Sequence, residues 1–197
     1  MGYRLRSVIH VGVLTMSLLA SRLPNVTVRV PTEGGLDLLC PVRGSKVTVP
    51  EPLGQAVSTA TLFSKGIHVV FGVMGAFLPQ CDQTHLPGYV AQADDFKAAG
   101  VDGLWCLSVN DPFVMEAWLQ AQHANGKVWW ISDGSADFSR AMGLTVCLDA
   151  LGMGTRCRRF AMLISDGHVL HLSLELPGQL HVSAAPYMLE AVKSLLA

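Results

Sequence analysis

The chain has no acidic residue before Glu33, no Cys-x-x-Cys pair, no long run of lysine and arginine, and no internal repeat. Charged side chains make up only 15% of its 197 residues and aromatic ones 7%. Each shortage excludes something. A net charge of −1 without a basic run leaves no footprint for a nucleic acid. The five cysteines, at 40, 81, 106, 147 and 157, are odd in number. With that spacing neither a disulfide framework nor a zinc site is expected, and a reducing compartment with one or two working thiols fits better. His168 and His171 form the nearest histidine pair, but in a strand they fall on opposite faces, so no metal or other cofactor is expected. The apolar stretch Val8 to Ala20 counts 13 residues, too short to cross a bilayer.

What remains is a chain that is 50% hydrophobic, long enough for one domain plus a leader. Residues 1–21 are the leader in this reading and 22–197 the domain. Arg4, Arg6, Arg22 and Arg29, interspersed with Ser7, Ser17 and Ser21 and free of acids, read as a mitochondrial targeting segment. Two alternatives stay open. One is a secretory signal built on Val8 to Ala20, which the cysteine usage disfavours. The other is translation from Met16, giving a cytoplasmic protein.

Val26–Val30 and residues 46–49 alternate like strands, with Gly34-Gly35 and Pro41 marking turns between them. Residues 50–66 read as loop. Ile67–Phe71 is a short β-branched run suited to a buried strand. A helix is expected from Cys81 to Ala99, kinked at Pro87 and capped by Gly100. Strands follow at 101–109 and 127–131. Asn110-Asp111-Pro112 starts a helix, and Ser135–Met142 is a short helix stopped by Gly143. Asp166-Gly167 turns a hairpin between Arg158–Ser165 and His168–Leu174, and Ala185–Leu196 is a last amphipathic helix. This order gives an α/β fold, a mixed sheet flanked by helices on both sides.

The chemistry centres on residues 66–90. A strand feeds a glycine-punctuated loop into a helix that begins at Cys81, where the first helical N–H groups and the helix dipole favour a thiolate. The other reading of Cys81 is a small core residue. The same stretch carries a resemblance. Phe71-Gly-Val-Met-Gly-Ala-Phe-Leu-Pro-Gln-Cys81 and Thr84-His-Leu-Pro-Gly-Tyr89 resemble the active-site segment of the peroxiredoxins, nearest the type II or atypical two-cysteine subfamily. Cys106–Trp118 and Arg158-Arg159-Phe160-Ala161 continue it, so that it covers residues 46 to 197. The family pattern Pro-x-x-x-Thr-x-x-Cys is broken twice, by Met74 for proline and Leu78 for threonine.

The resemblance implies a thioredoxin-like fold, a homodimer, and a thiol peroxidase reducing hydrogen peroxide and alkyl hydroperoxides through a sulfenic acid at Cys81. It makes Arg159 the active-site arginine, whose planar fork suits holding two oxygens. Without it, Arg159 would read as a surface strand residue. In some relatives a second cysteine lies where Val182 stands here. Cys106, 25 residues after Cys81, shares its spacing with plant-like type II members and is the candidate resolving cysteine, while its place on an internal strand reads as a buried core thiol. One-cysteine chemistry follows, with glutathione, glutaredoxin or thioredoxin as reductant. Leucine at 78 removes a hydroxyl from the reacting centre, and Met74 loosens the loop. These departures motivate the alternative, a non-catalytic redox sensor or holdase on the same scaffold.

Overall fold

The computed structural model describes residues 21–31 and 54–197, together with the backbone of two short strands between them. The leader reading of residues 1–21 lies outside the described residues except for Ser21, as do Cys40 and the turns at Gly34-Gly35 and Pro41.

In chain order the elements are strands β1 (Thr27–Val30), β2 (Leu38–Leu39), β3 (Lys46–Val47) and β4 (Gln55–Ser58), helix α1 (Thr59–Leu62), and strand β5 (Ile67–Gly72). A π-helical turn (Cys81–His85) leads into helices α2 (Leu86–Ala91) and α3 (Ala93–Ala98). Then come β6 (Gly103–Ser108), α4 (Pro112–Ala121), β7 (Trp129–Ser132), α5 (Asp137–Ala141), β8 (Thr145–Cys147), β9 (Thr155–Cys157), β10 (Phe160–Ser165), β11 (His168–Leu174) and α6 (Ala185–Leu196). Seven strands form one mixed sheet in the order β11-β10-β5-β6-β7-β1-β4. The β5, β6 and β7 strands are parallel, and the others run antiparallel to their neighbours.

The central strands are apolar on both faces because both faces are covered. One core holds Val69, Phe71, Tyr89, Phe96, Trp118 and Met188. The other, across the sheet, holds Val70, Phe138, Phe160, Met162 and Ile164.

Three expectations need correction. Residues 50–66 are not all loop: β4 and α1 lie within them, β4 paired along its length with β1. The long helix is not one uniform α-helix interrupted at Pro87. Leu86 N–H donates to the Cys81 carbonyl five residues back, so the helix has already widened before the proline, which sits in the first turn of α2 where it needs no N–H partner. A second break falls at Gln92. Finally, the strand expected from Arg158 begins at Phe160: β8 and β9 form a small separate hairpin, Arg156 lies on β9, and Arg158 and Arg159 link β9 to β10.

Two boundaries hold. Gly100, at φ +92°, ends α3 as expected, its N–H bonded to Lys97 O while Val101 N–H reaches Phe96 O. Asp111 caps α4 by accepting from Val114 N–H.

Candidate active site

The loop after β5 runs along the carboxyl ends of the parallel strands. Val73 N–H donates to Leu107 O at the end of β6, and Ala76 N–H to Asn110 Oδ1, which also accepts from Ser108 Oγ. The loop is tight. A Cβ on Gly75 would lie 3.2 Å from Leu78 Cδ1 and 3.4 Å from Arg156 Nη1. Phe77 takes a left-handed φ of +60°, stays 55% exposed, and lies 6.4 Å from the Trp118 ring. Asp82 N–H already bonds Leu78 O, so Cys81 sits inside the first turn and does not begin the helix. Leu78 is half-buried and packs against the core cluster that contains Cys81.

Cys81 is fully buried, and Arg159 Nη2 donates to its Sγ at 3.7 Å. Sheet register produces this meeting of residues 78 positions apart. On β10 Phe160 pairs with Gly72 and turns its ring into the far core. Arg159, one residue before the strand, extends the pairing through Glu175 N–H to Arg159 O, and its side chain turns to the other side, where Cys81 lies. The guanidinium is 6% exposed; Nη1 donates to Gln179 O at 2.7 Å, and the buried Nε has no partner. A buried guanidinium needs charge or lone pairs around it, and here sulfur and one carbonyl supply them.

The helix that carries Cys81 is held on its other side. His85 Nε2 donates to Ser183 O at 3.0 Å and Tyr89 Oη donates to the same oxygen at 2.8 Å. Burial lowers the His85 imidazole to about 3, partly opposed by the Ser183 bond, with nearby Arg159 adding to the drop; the ring is neutral and its Nδ1 is unpartnered. Burial, reinforced by Cys106 and Glu175, keeps the Tyr89 phenol protonated well beyond its ordinary range, as a donor must be. Asp82 Oδ1 accepts from both Trp118 Nε1 and Gln122 Nε2 at 2.7 Å, tying the same turn to α4.

The structure thus brings Cys81 and Arg159 together. Cys106 lies mid-strand on β6 in the same core as Cys81, and burial pushes its thiol well above its usual range, with Cys81 and Cys157 contributing. Cys157 belongs to the opposite core and its thiol is pushed up to about 12, chiefly by burial. Cys147 is exposed. Asn110, Asp82, Arg156 and Glu175 escaped the sequence reading. Glu175 had one available signal: it is the single acid between Asp166 and Glu190, set in an apolar run.

The sequence profile of the Redoxin family matches residues 21–188. Peroxiredoxin-2B of Arabidopsis thaliana is 40% identical over 138 residues, covering 70% of this chain and 85% of that protein. Peroxiredoxin-2C of Oryza sativa subsp. japonica is 41% identical over 138 residues, with the same coverage. Among solved structures, reduced Prx3 of Vibrio vulnificus in complex with hydrogen peroxide superposes with a TM-score of 0.73 at 36% identity, over 88% of this chain and 98% of that one.

Proposed function

The chain belongs to the Redoxin family, among its type II peroxiredoxins with their thioredoxin-like fold, and we propose that Cys81 and Arg159 carry its reaction. It is a thiol-dependent peroxidase. The Cys81 sulfur attacks one oxygen of the peroxide, the O–O bond breaks, and two electrons pass from sulfur to oxygen. Sulfenic acid forms, and the leaving oxygen departs as water or an alcohol after taking up a proton. Two external thiols then restore Cys81, releasing water and forming a disulfide between them.

The observation that carries the assignment is the guanidinium of Arg159, buried, fixed by Gln179 O, and directed at Sγ with its Nε–H unspent. In that position it supports negative charge on the attacking sulfur and on the departing oxygen, in a site with little water to screen it. The relatives bearing peroxiredoxin names support the peroxidase reading and add nothing to the sensor or holdase alternative. Stopped-flow measurement of sulfenate formation tests it. A second-order rate well above that of a free small thiol is expected, abolished by Cys81→Ser; a rate no faster than the free thiol overturns the reading.

The finer features belong to the same proposal. With Cys106 and Cys157 both buried and high in pKa, the cycle is one-cysteine, completed by glutathione, glutaredoxin or thioredoxin. Exposed Phe77 and Phe113, the latter 40% exposed in the first turn of α4, supply apolar surface for a homodimer; light scattering giving a monomer mass at micromolar concentration would exclude it. No helix among the described residues is long and apolar enough to cross a membrane. Mitochondrial import through residues 1–21 rests on their acid-free, arginine-bearing composition. A fluorescent fusion of residues 1–30 should collect in mitochondria; diffuse or reticular signal rules this out.

A further inference from the structure

We propose that Glu175 is a positioning residue for the peroxidase reaction, because its buried carboxylate folds residues 175–183 into the bracket that aims Arg159 and seats the Cys81 helix. The inference rests on the reading above of Arg159 at the sulfur.

Glu175 follows β11 directly and is 4% exposed. Among the described residues it forms no ion pair. Its Oε1 instead accepts from His181 N–H at 2.6 Å, Ser183 N–H at 2.7 Å and Ser183 Oγ at 3.0 Å. A carboxylate that gathers three donors from six and eight residues downstream closes the intervening chain into a loop, and charge strengthens each of those bonds. The loop's near end is fixed to the strand start: Glu175 N–H donates to Arg159 O at 3.0 Å, and Glu175 O accepts from Arg158 Nη2 at 3.2 Å. Between the two ends, Gly178 at φ +78° and a bond from Gln179 N–H to Leu176 O make the turn.

Two carbonyls of this loop point at the site. Gln179 O holds Arg159 Nη1, and Ser183 O holds both His85 and Tyr89 on the helix that carries Cys81. The guanidinium and the sulfur's helix therefore take their relative placement from one segment, and that segment is closed by one side chain. Misplacing a reacting group by about 1 Å can cost on the order of 100-fold in rate. A residue that never touches the sulfur can then govern how well Arg159 meets it.

The test is a double-mutant cycle on the full chain, read by the rate of Cys81 oxidation with hydrogen peroxide, beside NMR of the Arg159 side-chain N–H signals, assigned by comparison with Arg159→Met. Glu175→Ala should slow oxidation by about 10-fold to 100-fold and broaden the Arg159 signals, while Glu175→Gln, which keeps an acceptor, should recover most of both. In the Arg159→Met background, Glu175→Ala should cost clearly less than in wild type, since only the seating of the Cys81 helix through Ser183 O remains to be lost. An equal loss in both backgrounds, or Arg159 signals unchanged in Glu175→Ala, overturns the proposal. If Glu175→Ala does not fold, Glu175→Asp, which withdraws the carboxylate by one methylene, takes its place under the same expectations. A wild-type protein that oxidises no faster than a free thiol would defeat the peroxidase reading instead, and the NMR comparison would still decide the role of Glu175.

Discussion

The ring of Phe160 fills the space that a side chain at Gly72 would occupy: a Cβ there would lie 2.1 Å from Phe160 Cε1 and 2.5 Å from Cδ1. The two residues are register partners on β10 and β5, and Arg159 immediately precedes Phe160. Gly72→Ala is therefore expected to force the strands apart locally, at a cost of about 1–3 kcal/mol. It should also displace Arg159 and slow Cys81 oxidation by more than the stability loss alone explains. Thermal melts and stopped-flow rates on the same preparation check this; a destabilised variant with an unchanged rate would show that Arg159 is aimed independently of the register.

Leu78→Thr is expected to speed sulfenate formation by roughly 10-fold or more, the worth of one good hydrogen bond to a developing charge. Leu78 packs against the cluster that contains Cys81, and leucine offers a peroxide no donor or acceptor. Leu78→Val, which removes volume without adding a hydroxyl, should do much less. Equal gains from both changes would identify crowding, and not a missing hydroxyl, as what limits the site.

Acid should destabilise the fold through His85. The imidazole is held neutral down to about 3 in the folded protein, against 6.5 when free. Between those values the unfolded chain binds a proton that the folded one does not. The contribution is therefore complete above about pH 6.5 and lost as pH falls, at about 1.4 kcal/mol per pH unit for one proton. Half-buried His171, also lowered by its partial burial, acts in the same direction. Asp133, raised by burial, acts oppositely and returns some stability as it is protonated. Denaturant melts from pH 7 to pH 4.5 should show the slope, and His85→Gln should flatten it. A slope unchanged by that substitution would place the acid sensitivity elsewhere.

Asp82→Ala should leave the Trp118 indole N–H and the Gln122 amide without their shared acceptor, costing about 1–3 kcal/mol. Because Trp118 is fully buried, the change is readable as an altered tryptophan emission at temperatures below the melt. Asp82→Asn, which retains an acceptor oxygen, should preserve most of the stability. An emission spectrum identical to wild type in the alanine variant would mean that α4 and the Cys81 turn are joined by packing alone.

Legibility in the sequence followed distance along the chain. Cys81 was visible because strand, loop and helix succeed one another within 25 residues, each with its own local chemistry. Ala185–Leu196 and the Asp166-Gly167 hairpin were legible for the same reason. Arg159 was accessible only through resemblance, since its meeting with Cys81 depends on register across two strands. Glu175 carries only the faint signal of a lone acid in an apolar run, because two of its three donors are backbone N–H groups brought round by a loop, which leave no side-chain pattern. The π-helical turn escaped for a related reason: widening a helix by one residue changes its hydrogen bonds and not its composition. Strand β4 looks like loop in sequence because its partner in the sheet, β1, lies outside any local window.

The exposure of Cys147 has a practical bearing on how the enzyme is assayed. Among the described cysteines it is the exposed one, while Cys81, Cys106 and Cys157 are buried. Among those four, a thiol reagent added to the folded protein will report Cys147 first, at a rate set by solvent access and unrelated to peroxide chemistry. Loss of free thiol under oxidant would then overstate turnover, and disulfide-linked pairs through Cys147 on denaturing gels could pass for a catalytic intermediate. Kinetic work is cleanest in a Cys147→Ser background, or with mass spectrometry that resolves the peptide containing Cys81.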